Sequence, residues 1–391
     1  MKRTHAVLLL AVVLALSGSS IWAAEPAATT GPAVVATKVA RVQTATEKKA
    51  LDYLVSIQDK EGAWTAEAGP AITALAVRCL VQGGKALEDP AVAKGLAFIE
   101  KFRQEDGGYY KDAWPNYSTC IVLGLFTQLP QETYKDKIGK AHQFLKSIQS
   151  VEGKKDDQGN VITREHAWFG GAGYAGKGAR RPDLSNTSFF IDALRESGIS
   201  SYDPAIQNAI VFVSRCQMNE PTNDQGFAKG QTSGGFIYST FKGGESMFPA
   251  AKDHEGNEVL TAYGSMTYAG LKSFLYAGLA KNDPRVVMAW KWIKQTWTLD
   301  ANPGTQSEMG LYYYYHTFAK ALHIAGEDTI VDAKGVSHDW RKELEAKMAA
   351  LQKSDGHFVN NTEIKEGQRW MEANPALVTT YSILALQEAR R

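Results

Sequence analysis

One unit recurs six times between residues 50 and 387: an amphipathic helix that stops near a glutamine, a turn of glycine and an aromatic residue, then a second, almost wholly apolar helix. A period of this length marks an architecture of stacked helix pairs, because no single pair can bury its own apolar face. The clearest copy, "ALDYLVSIQDKEGAW", carries Tyr53-Leu54, Gln58, Gly62 and Trp64. "GLAFIEKFRQEDGGYY" repeats it with Gln104, Asp106-Gly107 and Tyr109, its register slipped by one. "AHQFLKSIQSVEG" supplies Phe144-Leu145 and Gln149, and "AIVFVSRCQMN" supplies Phe212-Val213 and Gln217. The fifth copy, "AWKWIKQTW", has Trp297 where the glutamine belongs; the sixth, "LEAKMAALQKSDGHF", has Gln352, Asp355-Gly356 and Phe358.

The second helices align as well. They read "AITALAVRCL", "YSTCIVLGLF", "SNTSFFIDAL", "GSMTYAGLKSFLYAG", "YYHTFAKALHIAG" and "LVTTYSILALQ". Each opens with serine or threonine, which suit N-caps. A helix apolar on most sides must be covered on most sides. Six pairs can stack as an open solenoid or close into a ring, and an open array needs polar end repeats. The last helix is apolar almost to its end, and so is the first, which favours closure around a central cavity. Asp183 is a candidate helix cap, with an arginine as its expected partner.

Length permits a large core, and a net charge of +1 gives no basic excess of the kind a nucleic-acid binder carries. Nine Trp, 16 Tyr and 15 Phe exceed what a surface needs and must line a core or cavity. "MKRTHAVLLLAVVLALSGSSIWAAEP" has the form of a secretory signal: Lys2-Arg3, a short apolar run, and small residues before a cleavage point near Ala23. The sequence therefore predicts an exported protein, periplasmic or extracellular. It divides into residues 1–23 as signal peptide, 24–45 as a flexible lead-in, and 46–391 as the repeat domain, with no stable membrane span. Cys79, Cys120 and Cys216 are too few for a disulfide scaffold, read as buried thiols, and lack the short spacing of a metal cluster.

The glutamine–glycine–tryptophan element and six helix pairs resemble the terpenoid cyclase and protein prenyltransferase superfamily over roughly residues 46–391. The resemblance implies an all-α fold, an α/α toroid with an inner ring of helices inside an outer ring, here with Gly-rich loop inserts. It also implies a structural role for Gln58 and Trp64, tying neighbouring repeats together. Squalene-hopene-type cyclases protonate an alkene through an aspartate-rich motif at the start of an inner helix. "DLSNTS" falls in that register: Asp183 and Thr187 match, but Ser185 stands at the proton donor and Asn186 beside it. Protein prenyltransferases hold zinc with aspartate, cysteine and histidine. His316 matches the histidine, while Thr261 and Tyr263 occupy the region of the other two. The Cys-Gly-Glu-Gln motif of thioester domains is absent. No metal or other cofactor is implied.

"GGAGYAG", residues 170–176, contains a G-x-G-x-x-G pattern but follows no strand, so it reads as a loop at the cavity rim rather than a dinucleotide signature. A second glycine-rich insert follows Gln217 and includes the β-like run Phe236-Ile237-Tyr238. Both fall in repeats three and four, which should crowd one sector of the rim. Candidate site residues stand at the starts of the apolar helices. Asp183 and His316 are the acid–base candidates. Tyr117, Asn186, Tyr263, Tyr268 and Tyr312 are the ligand-binding ones. Asn116, Tyr313 to His316, and Asn374 stand nearby, with Arg180, Arg181 and Glu372 joining from loops. Two functions follow from different classes: a protein that binds an apolar, isoprenoid-like ligand, or a divergent enzyme, cyclase-like or glycan-active. A closed aromatic chamber favours the lipid; an open trough with carboxylates favours the sugar.

Overall fold

The computed structural model describes residues 42–391, apart from 177–180, 253–255, 306–307, 362 and 364–367. The signal-peptide reading, most of the lead-in and Arg180 lie outside the described residues. Twelve α-helices make up the described chain. The odd-numbered ones are the amphipathic members of the pairs: α1 Ala45–Ser56, α3 Pro90–Glu100, α5 Gln131–Ile148, α7 Pro204–Arg215, α9 Pro284–Gln295 and α11 Trp340–Leu351. The even-numbered ones are the apolar members: α2 Pro70–Gln82, α4 Pro115–Phe126, α6 Leu184–Glu196, α8 Gly264–Tyr276, α10 Leu311–Ala325 and α12 Pro375–Ala389. Every residue of α12 from Ala376 to Ala389 is buried, as an inner position demands. The architecture is predominantly helical and consistent with a helical toroid. Each even-numbered helix packs on the next, and α12 packs on both α10 and α2.

The repeat's glutamine explains the spacing. Gln58 donates to Gly62 O at 3.0 Å, closing its own turn, and to Ala91 O in the first turn of α3 at 2.9 Å. Gln149 does the same to Gly170 and to Ala205 of α7, and Gln217 to Gly234 and to Arg285 of α9. Gln352 donates to Gly356 O and to Thr46 O of α1, both at 2.9 Å, so the sixth repeat reaches the first by the same bond. A primary amide is suited to this, because its two N–H groups reach two carbonyls at once, one in its own turn and one in the first turn of the next helix. The slipped Gln104 bonds only Phe102 O and Tyr110 O near its own turn. Trp297 instead turns its indole N–H toward Glu343 of α11, at 3.4 Å. The glycine is needed for close approach as well as for its positive φ. A Cβ at Gly62 would sit 2.4 Å from Lys94 O, and one at Gly356 2.4 Å from Lys49 O. Trp64 lies within its own repeat, donating to Leu54 O at 2.8 Å, and its ring packs beside Gly95 of α3.

The serine and threonine residues at the starts of the apolar helices are not their N-caps. The caps are Gly69, Trp114, Asp183, Tyr263, Gly310 and Asn374. The threonines lie inside the first turns and accept the backbone N–H of the preceding turn. Thr73 takes that of Trp64, Thr119 of Tyr109, Thr187 of Ala172, Thr267 of Phe236 and Thr379 of Phe358, at 2.9–3.1 Å. In α10, Tyr315 takes the corresponding place, its hydroxyl donating to Leu299 O at 2.6 Å. Among the even helices only Asp183 and Asn374 cap with their side chains; in the odd helices Asp89, Asp203 and Asp283 do so, each before a proline at the first helical position.

The insert of repeat four holds two short hairpins, Gln217–Asn219 with Thr232–Phe236 and Ala251–Lys252 with Glu258–Val259. A third hairpin, Thr329–Val331 with Ser337–Asp339, precedes α11. No described helix is long and apolar enough to cross a membrane. The three cysteines are buried free thiols.

Candidate functional site

Counting from the shared threonine position orders the even-numbered helices into levels along their length. Two residues before it stand Tyr117, Ser185, Ser265, Tyr313 and Leu377. All five line one cavity of about 260 Å³ at the N-terminal ends of these helices. Phe189 and Tyr381, one turn further on, form its floor, while the inserts close one side with Tyr174, Tyr238 and Met247. Tyr263 and Met266 of α8 complete the wall. Trp114, Trp370 and Met371 stand at the opening, each about two-fifths exposed. These three have φ near +60°. A non-glycine residue held there costs of order 1–3 kcal/mol and persists only where its surroundings fix it.

The wall is aromatic with hydroxyls set into it. Ser185 Oγ pairs with Tyr313 Oη at 2.9 Å, and Tyr117 Oη with Tyr381 Oη at 3.2 Å. Among the described lining residues there is no charged side chain. The nearest carboxylates lie behind the wall. Asp183 caps α6, accepting from Asn186 N and Asn186 Nδ2, both at 2.8 Å. Burial pushes its carboxyl up to about 6, against the pull of those bonds and of Arg181. Its expected arginine partner is otherwise engaged: Arg181 pairs with Glu245 at 3.2 Å and stacks on Phe241. Glu372, fully buried, receives Tyr313 N at 2.8 Å and the Asn360 amide, supplying the cap that α10 lacks at Gly310. Burial pushes it up to about 7.

His316 and Asp183 do not form a pair. Asp183 sits at the N-terminal mouth of α6. His316 stacks on Tyr381, with ring centroids 5.5 Å apart, one helical turn above Lys320. Burial, then Lys320, Lys272 and Arg78, hold the imidazole well below its ordinary range, so it is neutral. Its Nδ1 has no hydrogen-bond partner among the described residues. Tyr268 and Tyr312 stand in the packing rather than at the cavity: Tyr268 against Tyr314 and Phe318, Tyr312 against Tyr315 and Phe358. The four consecutive tyrosines point in different directions, and of these only Tyr313 reaches the cavity. Asn116 lies behind the wall near Asn186 O, and Asn374 caps α12 while bonding Thr65.

Below the cavity the levels change character. Five residues after the threonine position come Arg78, Asp192, Lys272 and Lys320, with Gly124 leaving room for the Arg78 guanidinium. Asp192 binds Lys272 at 2.5 Å and Lys320 at 2.9 Å, and Glu196 binds Lys320 at 2.6 Å and Arg78 at 3.2 Å. Burial drives the Lys272 ammonium down, and the Lys320 ammonium is held up by Asp192 and Glu196 against its burial. Burial also opposes the Glu196 charge, but Arg78 and Lys320 outweigh it and hold the carboxyl well below its usual range. These charges escaped the sequence reading, although each interrupts an apolar run at the same place. Tyr174, Tyr238, Phe189, Tyr381 and the Trp370–Met371 edge also escaped it, because loops and second turns bring them in.

No protein family's sequence profile matches the chain, and no curated protein matches it. Solved structures do. The type II terpene cyclase MstE from Scytonema superposes with a TM-score of 0.51 at 12% identity, covering 88% of this chain and 97% of its own. An α-amylase from Clostridium perfringens gives 0.50 at 12%, covering 90% and 99%. A protein from Actinoplanes gives 0.50 at 13%, covering 88% and 99%. At such identities the likeness is one of fold, and it supports a terpenoid cyclase-like fold for this chain.

Proposed function

We propose that the even-numbered helices close into an inner ring inside the odd-numbered ones, and that the chain is an exported protein that binds an apolar, isoprenoid-like ligand at the mouth of that ring. The observation that carries the ligand is the cavity: about 260 Å³, walled by rings, with hydroxyls as its polar groups. Ligand sites are apolar concavities with a few placed polar groups, usually of roughly 300–1,000 Å³. The volume here suits a short chain or one end of a longer one. Closure is supported by the Gln352–Thr46 bond and by α12 packing on α2. Export rests on the leader sequence alone.

Alkene protonation needs a strong acid facing the substrate. Ser185 is no acid, and Asp183, raised by burial to about 6, is a weaker acid than an ordinary carboxyl and is not among the residues lining the cavity. This supports binding over standard cyclisation. The carboxylate-free wall also weighs against glycosidic chemistry, which needs two carboxyl groups flanking the bond. The test is to purify the protein from its native host, extract it with solvent and look for co-purifying apolar molecules by mass spectrometry. Leu377→Trp, which fills the cavity, serves as control. Enrichment in the wild type and its loss in the variant are expected; equal traces in both would sink the reading.

A further inference from the structure

The cavity at the mouth does not stand alone. An open groove of about 580 Å³ runs between repeats one and six, lined by Tyr53 and Ile57 of α1 and its capping residue, Trp64 and Thr65 of the following turn, and residues 373–376 at the start of α12. Met371 borders both spaces. Eleven large apolar side chains are exposed among the described residues, and four of them, Ile57, Trp114, Trp370 and Met371, line the mouth or the groove. Exposed apolar residues scattered singly need no cause, whereas a connected set of them marks a binding groove. Six described residues other than glycine have positive φ, and four of these, Thr65, Trp114, Trp370 and Met371, lie along the same path. Backbone of that kind is costly and collects where ligands are held.

We propose that the ligand is a linear prenol longer than the cavity, with its hydroxyl end inside and its hydrocarbon tail leaving across Met371 into the groove. This rests on the cavity being the ligand site. At about 260 Å³ the cavity falls short of the roughly 300–1,000 Å³ usual for such sites, and the groove supplies the remainder. Polarity sets the direction. The cavity holds the Tyr117–Tyr381 and Ser185–Tyr313 hydroxyl pairs, and a paired hydroxyl oxygen still has a lone pair to offer a third hydroxyl. In the groove, the Asn374 amide donates to the Thr65 hydroxyl at 3.0 Å and its oxygen caps α12, so both are engaged. Ile57, Met371, Pro375 and Ala376 are left to cover a hydrocarbon chain. The unbranched thioether of Met371 adapts to a chain passing over it. Neither space has a charged side chain among its described lining residues, so the tail crosses no charge.

The test follows the fluorescence of Trp114 and Trp370 on binding geraniol, farnesol and geranylgeraniol, each one isoprene unit longer than the last. Each added unit should tighten binding about ten-fold, since an open groove covers only part of its surface. Ile57→Asp sets a charge in the groove and should lower the geranylgeraniol-to-geraniol affinity ratio about ten-fold. Met371→Glu, at the sill, should lower it as well, and decides the matter if the first variant folds poorly. Val287→Asp makes the same kind of change at an exposed position of α9 outside both spaces and should leave the ratio as it is. Geraniol binding with no gain for the longer prenols, or a gain that survives both groove variants, overturns the inference and leaves the cavity reading standing. So does an Ile57→Asp effect on dimer formation rather than on chain length, which would assign the groove to a second copy. Failure of all three prenols to bind overturns both.

Discussion

At their N-terminal ends the even-numbered helices carry rings and hydroxyls that hold one another and leave a cavity open. Five residues after the threonine position the same helices bring Arg78, Asp192, Lys272 and Lys320 together and leave no such space among the cavities described. The helix geometry is shared, since both levels lie on one face at helical spacing. What differs is how polar groups are satisfied. At the mouth they are neutral and paired, and each pair can be removed whole. At the far end they are ionic and shared, so no member can leave alone.

The sharpest way to break this contrast is Asp192→Asn. It removes the carboxylate that Lys272 and Lys320 share, leaving two ammonium groups with 2% and 6% of their side chains exposed. Breaking one partner from a buried ionic cluster costs about 3–5 kcal/mol. Urea unfolding at pH 7.5 should show a loss of that size. Replacing Asp192, Lys272 and Lys320 together by apolar residues of similar volume should recover most of it. If Asp192→Asn leaves the midpoint where it was, the far end is not the ionic plug described.

The next effect belongs to the two carboxylates behind the mouth. Asp183 and Glu372 are both raised by burial, to about 6 and about 7. A carboxyl raised on folding binds its proton more tightly in the folded state. Its contribution is therefore fully present below its unfolded value and is lost as pH rises through the folded one. The window runs from about pH 4 to 6 for Asp183 and from about 4.5 to 7 for Glu372. Each contributes a swing of about 3 kcal/mol. Stability measured between pH 5 and pH 8 should fall with rising pH. Glu372→Gln should flatten the upper part of that fall, and an unchanged slope would show that Glu372 ionises in the fold as it does in water.

A third prediction separates the repeats that bridge from the one that does not. Gln352→Ala removes two bonds, one of them to the opposite end of the domain at Thr46, and leaves the partly buried Gly356 carbonyl without its partner. It should cost about 1–3 kcal/mol. Gln104→Ala loses bonds made near its own turn and should cost less than about 1 kcal/mol. Equal losses would mean that the glutamine acts on its own turn and not on closure.

How much of this was legible follows from the same contrast. The repeat was legible because its bonds are local in pattern: glutamine, glycine and threonine recur at fixed offsets, and the slipped Gln104 and the substituted Trp297 are visible as departures. Asp183 as a cap was legible, since a short acid before an apolar run is a local signal. The cap role given to the threonines was wrong, because their partners are the backbone N–H groups of the preceding turns, up to 31 residues away. Tyr117 and Tyr263 were found at the mouth, but Tyr268 and Tyr312 were not distinguishable from them without knowing which way each helix is rotated. Tyr174 and Tyr238 arrive from inserts whose paths no period describes. The ionic level was visible in principle as charges at one aligned position, and a search for polar ligand groups at the helix starts passes over it.

The smallest effect tests the mouth directly. Ser185 and Tyr313 hold one another across the cavity wall, from α6 and α10. Tyr313→Phe leaves the serine hydroxyl without its partner, and Ser185→Ala leaves the phenol without its own. Each single change should cost about 0.5–1.5 kcal/mol. The double variant removes donor and acceptor together, so its cost should fall below the sum of the two, with a coupling of about 0.5–1 kcal/mol in a double-mutant cycle. The same cycle on Asp192 and Lys320 should give a coupling several-fold larger, because there each single change leaves buried charges short of a partner. Comparable couplings at the two levels would erase the distinction between a mouth built to be occupied and a far end built to stay shut.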